Sequence, residues 1–285
     1  MCGIFGIINY DGKLKRYMAD LDNIKQMTSS LLSASQLRGT DASGICMITL
    51  SGEALVYKAR KPGRDLTGDL EYSKIMNAID YQSNFRMMIG HTRAKTKGTK
   101  YNNANNHPIV ACRVIGVHNG MISNDDALFD MDESLIRKGQ VDSEIIFRLI
   151  DKFVYEKHTL VASVRRTAQA IIGSYSCAFI HLDHPNYLTL FAGAFPSIAI
   201  QNFKHAHMMI FASTDDIITK ATEGIYILRE PTSKLEVGKN TGIRINTLNG
   251  KIYTFDTDAK VSNNANAMTC GATGGFPPTG LGMPV

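Results

Sequence analysis

The chain of 285 residues contains 44% hydrophobic and 20% charged residues, with 24 Gly, 8 Pro and no Trp. This composition is typical of a globular protein and excludes a disordered, coiled-coil or collagen-like chain. The net charge of +5 is small and the basic residues form no long run, so we expect no nucleic-acid partner. No uncharged apolar stretch approaches the roughly 18–20 residues of a membrane span, so we expect no membrane partner either.

The five cysteines are sparse, and no two of them form a CxxC pair: Cys2, Cys46, Cys112, Cys177 and Cys270. The opening MCGIFGII is apolar but lacks the basic leader and the cleavage site of a signal peptide. An odd number of dispersed cysteines without an export signal predicts reduced thiols and a cytoplasmic protein.

The hydrophobic periodicity predicts helices over 23–37, 142–156, 158–172 and 214–222. It predicts strands over 2–9, 44–49, 54–59, 86–91, 113–118, 176–182, 187–192, 197–201 and 207–212. This order lacks the regular alternation of a doubly wound sheet and favours an α+β fold, with two antiparallel sheets packed together and helices outside. We expect one domain over 1–260 and an irregular tail, rich in Gly, Pro and Asn, over 261–285.

Cys2 is the first candidate for chemistry. Once Met1 is removed, Cys2 carries a thiol and a free α-amine, whose ordinary pKa values of about 8.5 and 7.7–8.0 suit proton transfer near neutrality. A nucleophile activated by its own N-terminus is an established catalytic arrangement. The alternative is a cysteine that is merely buried at the start of a strand.

A second candidate is the segment GHTRAKTKG at 90–98, which follows an apolar strand. Arg93 in this segment could bind a carboxylate through two parallel hydrogen bonds. Its spacing alone favours a surface arginine in a solvated loop. We interpret the neighbouring His91 as a hydrogen-bonded structural histidine rather than a base.

A third candidate is VHNGMISN at 117–124. Asn119 and Gly120 are the typical residues of a turn, but they could also supply two hydrogen-bond donors to an oxyanion. Asp142 precedes an amphipathic helix, where it could cap the helix or bind a cationic amine.

Two further groups of polar residues favour structural roles. Arg38 and Asp41, in the glycine-rich segment RGTDASGI at 38–45, are predicted to pair with each other. Several histidines lie near one another in sequence without a framework of Cys or Glu ligands: His181, His184, His205 and His207. We therefore expect no metal.

Together these segments resemble the class II glutamine amidotransferases, whose glutaminases use an N-terminal nucleophile, and most of all the glutaminase domain of glucosamine-6-phosphate synthase. The matching segments follow in the family's order: CGIFGI at 2–7, RGTDASGI at 38–45, GHTRAKTKG at 90–98, NNHPI at 105–109, VHNGMISN at 117–124, VDSEIIFRLI at 141–150, GSYSCAFI at 173–180 and FASTDDIITKAT at 211–222. The resemblance implies a four-layer αββα sandwich of two mostly antiparallel sheets, the N-terminal nucleophile hydrolase type.

The resemblance also implies hydrolysis of L-glutamine to glutamate and ammonia through a γ-glutamyl thioester, without a cofactor. Cys2 would be the nucleophile, and its α-amine would be the general base, either directly or through a water. Asn119 and Gly120 would form the oxyanion hole.

The resemblance further implies residues that would bind the two charged groups of glutamine. Arg93 would hold the α-carboxylate of glutamine, and Asp142 its α-ammonium group. Thr96 and Gly98 would line the glutamine pocket. Opposite charges at the two ends of a zwitterion are also physically sensible without the family.

The family's loop usually reads Arg-Trp-Ala-Thr-His-Gly, whereas this chain has RAKTKG at 93–98. Since no acceptor domain is recognised in the 285 residues, we expect the ammonia to pass to a separate acceptor or synthetase protein. Two alternatives stay open: a hydrolase of another γ-glutamyl amide or peptide, and a catalytically weak glutamine-binding or assembly subunit. Homo-oligomerisation is also open.

Overall fold

The computed structural model describes residues 1–10, 18–79, 85–225, 228 and 230–259. The tail predicted over 261–285 lies outside the described residues, as does Cys270. The domain boundary at 260 therefore stays a prediction.

The strands form two antiparallel sheets. In chain order they are β1 Gly3–Asn9, β2 Ala42–Ile48, β3 Ala54–Ala59, β4 Met87–Arg93, β5 Ile109–Ala111, β6 Val114–Ile122, β7 Gly173–His181, β8 Tyr187–Ala192, β9 Ile198–Phe203, β10 Met208–Ala212, β11 Ser233–Val237, β12 Thr241–Asn246 and β13 Ile252–Asp256. The first sheet has the order β11-β9-β10-β1-β4-β2-β3, and the second has the order β13-β12-β8-β7-β6-β5.

Helices cover the outer faces of both sheets. They are α1 Met18–Ser35, α2 Gly63–Leu66, α3 Leu70–Asn77, α4 Asp125–Asp130, α5 Ser143–Tyr155, α6 Leu160–Ala170 and α7 Asp215–Thr222. The first three helices and α7 pack with the first sheet, whereas α5 and α6 pack with the second.

The core consists of three apolar layers, as two sheets between two layers of helices require. β1 shows how the alternation of strand side chains builds two of them. Ile4 and Ile8 lie in the layer between the sheets, whereas Phe5 and Ile7 pack beneath the helices on the other face. The αββα architecture and the α+β class predicted from the sequence are confirmed.

The predicted elements are largely present, and β3 and β8 have the predicted bounds. The short helices α2, α3 and α4 and the strands β5, β11, β12 and β13 were not predicted. The edge strands β11 and β13 keep several exposed side chains, so they lack the full apolar alternation of a buried strand.

The sheet registers bring the candidate segments to one end of the sandwich. Gly3 of β1 pairs with Thr92 of β4, which places Cys2 beside the end of β4 at Arg93. Across the sandwich, His91 Nε2 on β4 donates to the carbonyl oxygen of His118 on β6, at 3.1 Å. Because Asn119 follows His118, β6 delivers this asparagine to the same end.

Candidate active site

Cys2 lies at the start of β1 with its side chain partly buried. Its thiol donates to the carbonyl oxygen of Ala94 over 3.4 Å, and its own carbonyl oxygen accepts a hydrogen bond of 2.9 Å from Arg38 Nε. Burial raises the pKa of the Cys2 thiol, and the negative charge of Asp142 acts in the same direction. The amino terminus and Arg93 oppose this rise, because positive charges favour a thiolate.

Arg93 is the last residue of β4 and only 3% exposed, so the interpretation as a surface side chain is wrong. Its guanidinium donates to Asn106 Oδ1 at 2.9 Å, to Lys97 O at 2.6 Å and to Gly98 O at 2.9 Å. These bonds use three of the five N–H groups and leave two for a ligand. Burial lowers the pKa of Arg93, while the charges of Cys2, Asp41 and Asp142 raise it.

The loop that follows Arg93 carries the two predicted pocket residues. Thr96 is exposed, and Gly98 adopts a φ of +74°. A Cβ atom at position 98 would lie 2.9 Å from Asn105 Nδ2, so both the backbone and the space favour glycine.

Asn119 and Gly120 lie within β6, opposite Ser176 and Tyr175 of β7. The interpretation of this dipeptide as a turn is therefore wrong. Asn119 is 1% exposed, and neither its Oδ1 nor its Nδ2 has a hydrogen-bond partner in the described part of the chain. A buried amide without partners is costly, which is why such groups are expected where a ligand completes the bonding.

Asp142 is buried at the start of α5, but its side chain makes no capping hydrogen bond. Its Oδ2 accepts instead from the backbone N–H of Ile122, at 2.7 Å, on the end of β6. Asp142 therefore occupies the N-cap position of α5, but its side chain does not take the capping role, which was one of the two roles left open by the sequence. The carboxylate acts electrostatically on Cys2, Arg93 and His118.

The structure thus brings Cys2, Arg93 and Asp142 within electrostatic reach of one another, with Asn119 on the adjoining strand. A thiol, a guanidinium and a carboxylate in one partly buried site can bind a small zwitterion and attack it. A cavity of about 670 Å³ lies elsewhere, beside the end of α7, and is lined by none of these residues.

The comparisons with known proteins find relatives in sequence and in structure. No protein-family model matches the chain. It is 31% identical over 192 residues to the glutamine–fructose-6-phosphate aminotransferase of Acinetobacter baylyi, covering 66% of this chain and 28% of that protein. It is 33% identical over 207 residues to the enzyme of the same name from Chlamydia abortus, covering 70% of this chain and 30% of that protein. The chain therefore spans less than a third of either relative.

Solved structures share the fold. The glutamine phosphoribosylpyrophosphate amidotransferase from B. subtilis superposes with a TM-score of 0.67 at 18% identity, over 92% of this chain and 50% of that one. A glutamine aminotransferase class-II domain protein from Silicibacter pomeroyi superposes with a TM-score of 0.50 at 15% identity, over 89% of this chain and 97% of that one. The chain is a homologue of the class II glutamine amidotransferases.

Sequence reasoning missed several residues that support the site of this amidotransferase homologue. Arg38 does not pair with Asp41 as predicted, because it donates to the Cys2 carbonyl, whereas Asp41 accepts from Lys95 N and Lys100 Nζ. The segment NNHPI contains Asn106, the partner of Arg93, but nothing in its spacing signals that contact. The structural interpretation of His91 agrees with its burial and its bond to β6.

Two further observations concern the described residues of the amidotransferase homologue. In that part of the chain, no three or more His, Cys, Asp or Glu side chains are grouped so that they could hold a metal ion. None of the helices described there combines the length and the apolarity needed to cross a membrane. Cys2, Cys46, Cys112 and Cys177 are free thiols.

Proposed function

We propose that the chain hydrolyses L-glutamine to glutamate and ammonia, with Cys2 as the nucleophile. The observation that carries this proposal is the position of the Cys2 thiol: it contacts the backbone of Ala94 and lies within electrostatic reach of both Arg93 and Asp142. One reactive atom between opposite charges suits an attack on the amide of an α-amino acid.

The working form begins at Cys2. Met1 is 67% exposed, so its peptide bond lies at the surface, where an aminopeptidase can reach it. Removal of Met1 converts the amide nitrogen of Cys2 into an α-amine. This amine accepts the thiol proton, which offsets the effect of burial on the pKa of the thiol.

The first half-reaction forms a thioester. The Cys2 sulfur attacks the side-chain amide carbon of glutamine, and negative charge develops on the amide oxygen. The Asn119 Nδ2–H and the Gly120 backbone N–H stabilise this oxyanion, and the unpartnered amide of Asn119 is available for that bond. The carbon–nitrogen bond then breaks, and ammonia leaves with the proton held by the α-amine.

The second half-reaction hydrolyses the thioester. The α-amine takes a proton from a water molecule, whose oxygen attacks the thioester carbon. The same two donors stabilise the second oxyanion. The carbon–sulfur bond breaks, the thiol regains its proton and glutamate leaves.

Arg93 and Asp142 select the substrate. One of the N–H groups of Arg93 that lack an acceptor in the described structure binds the α-carboxylate, and Asp142 binds the α-ammonium group. Thr96 and Gly98 line the pocket between them. A substrate that lacks either charge leaves one buried ionic group unpaired, which is costly.

The ammonia passes to an acceptor on another protein. The two curated relatives described above are glutamine–fructose-6-phosphate aminotransferases. For this chain the acceptor is a separate synthetase or transferase, and the chain works in the cytoplasm beside it.

The test measures glutamate and ammonia formation from L-glutamine and the intact mass of the same preparation. We expect turnover only in protein that has lost Met1, and Cys2→Ala should reduce turnover to background. Cys112→Ala is the matched control, because Cys112 is an exposed free thiol in a turn between β5 and β6. Full activity in Cys2→Ala would overturn the mechanism.

A substrate panel tests the selection of the zwitterion. N-acetylglutamine lacks the ammonium charge, and we expect it to be turned over far more slowly than glutamine. Faster turnover of a γ-glutamyl peptide than of glutamine would assign the chain to a different γ-glutamyl hydrolase. Binding of glutamine without turnover, in protein that begins at Cys2, would instead indicate a binding or assembly subunit.

A further inference from the structure

Four charged side chains join two segments that border the site: Lys97, Asp125, Asp126 and Arg137, here called the charge clamp. Lys97 Nζ lies 2.6 Å from Asp125 Oδ2 and 2.8 Å from Asp126 Oδ2. Arg137 contacts the same two carboxylates, with Nη2 at 2.9 Å from Asp125 Oδ2 and Nη1 at 2.5 Å from Asp126 Oδ1. Both carboxylates therefore bridge the lysine and the arginine.

The burial of one member, Asp125, distinguishes the clamp from ordinary surface ion pairs. Asp125 is 2% exposed, and its Oδ2 accepts from both cations. Arg137 is further fixed by its Nε bond of 3.0 Å to Gly139 O and by the ring of Phe129, 4.8 Å from its guanidinium carbon. A buried carboxylate that loses a partner is penalised far more than an exposed one, so the clamp resists opening.

The clamp is linked to Arg93 through the loop that carries Lys97. The side chain of Lys97 enters the clamp, while its carbonyl oxygen accepts from Arg93 Nη2, as does the neighbouring Gly98 carbonyl. The position of the guanidinium therefore depends on the position of the loop that the lysine anchors.

The clamp is also linked to Asp142, through the segment that begins at Arg137. Arg137 begins a short segment whose backbone N–H groups at Lys138 and Gly139 donate to the buried Glu144 carboxylate. Gln140 N donates to Asn105 Oδ1, and Asp142 follows two residues later. The segment that holds Arg137 thus runs directly into the carboxylate at the start of α5.

We propose that Lys97 is a positioning residue: through Asp125 and Asp126 it fastens the loop of residues 94–98 to the segment of Arg137, and so fixes the spacing between Arg93 and Asp142. This inference rests on the proposed function, because those two residues bind the poles of glutamine there. The lysine stands where the resembling family usually has histidine, so this ionic fastening depends on the sequence of this chain.

The charges of the clamp persist over a wide pH range. The hydrogen bonds from Lys97 and Arg137 lower the pKa of Asp126 to about 2. The bonds to the two aspartates raise the pKa of Lys97 despite its partial burial, which acts in the opposite direction. The clamp is therefore intact wherever the enzyme is assayed near neutrality.

The kinetic test compares Lys97→Met, Lys97→Arg and Lys95→Met. We expect Lys97→Met to raise KM for glutamine about tenfold while kcat changes much less, because about 1.4 kcal/mol of binding corresponds to a factor of ten. Lys97→Arg keeps the charge and should restore KM. Lys95→Met is the matched control, since it removes the same charge from an exposed side chain of the same loop for which the structure gives no ion pair. An unchanged KM in Lys97→Met, or an equal rise in Lys95→Met, overturns the proposal.

A second readout does not depend on glutamine. Asp126 is 65% exposed, so Asp126→Asn should fold normally while it weakens the clamp. We expect trypsin to cleave after Lys95 and Lys97 severalfold faster in this variant, with an unchanged melting temperature. If the wild-type protein releases no ammonia but trypsin cleaves Asp126→Asn faster, the proposed function is wrong and the proposed fastening by the clamp is supported. Unchanged cleavage overturns the clamp whatever the activity.

Discussion

The imidazole rings of His91 and His107 are stacked, with centroids 4.0 Å apart and planes inclined by 18°. Both side chains are buried, and neither nitrogen of His107 has a hydrogen-bond partner in the described structure. Burial lowers the pKa of His91 to about 3 and that of His107 well below its usual value. Two stacked rings without counter-charges must both be neutral in the folded protein.

This stack predicts acid lability. A histidine in the unfolded chain has a pKa of about 6.5, so it is protonated below that pH. His91 in the folded protein stays neutral until the pH approaches 3. The contribution of neutral His91 to the free energy of unfolding is fully present above pH 6.5 and is lost as the pH falls towards 3. For His91 alone the free energy of unfolding should drop by about 2 kcal/mol between pH 7.5 and pH 5. Urea unfolding at the two pH values measures this drop.

His107→Leu isolates the contribution of the second ring. The substitution removes two buried nitrogens without partners, so we expect little loss of stability at pH 7.5 and a smaller drop at pH 5. A wild-type protein equally stable at both pH values would contradict the burial of neutral histidines.

Gly120→Ala should destabilise the fold at the proposed oxyanion hole. A Cβ atom there would lie 2.0 Å from the Ser174 carbonyl oxygen, and φ is +149°. Because the obstacle is backbone on the paired strand, we expect a loss of about 3 kcal/mol or more in the free energy of unfolding. Gly224→Ala is the matched control, with φ of +76° and no atom within 4 Å, and should cost only about 1 kcal/mol. Equal losses in the two variants would show that the contact with Ser174 is unimportant.

Asn119→Ala should separate activity from stability. If its amide stabilises the oxyanion, kcat should fall about 100- to 1000-fold with little change in KM. Because the buried amide has no partner, its removal should leave the melting temperature unchanged or raise it. Steady-state kinetics and thermal unfolding of the same preparation test both halves. A folded variant that keeps its kcat would exclude Asn119 from the oxyanion hole.

The sequence predicted the elements whose periodicity reflects burial. The stripe of α5 and the strand β8 follow from apolar spacing, because each of these two elements buries apolar side chains. The predictions that failed depend on contacts between distant segments. Asp142 has the sequence position of a helix cap, but its carboxylate is captured by the N–H of Ile122, twenty residues earlier. No local pattern encodes such a partner.

The same distinction applies to the candidate site. Arg93 is typical of a solvated loop when it is considered with its lysine neighbours, yet β4 carries it into the interior beside Asn106. Its burial follows from the position of β4 between β1 and β2, which is a property of the sheet topology. The resemblance to the amidotransferases supplied the candidate site residues, whereas the clamp of Lys97 became visible only in three dimensions.

The most direct measurement identifies the atom that reacts with the γ-carbonyl of glutamine. The active protein is incubated with a chloromethyl ketone analogue of glutamine, digested and analysed by peptide mass spectrometry. We expect loss of activity in step with one modification, carried by the sulfur of Cys2 in a peptide that begins at Cys2, with glutamine protecting against it. Modification at Cys112, or an active protein that still carries Met1, would contradict the account.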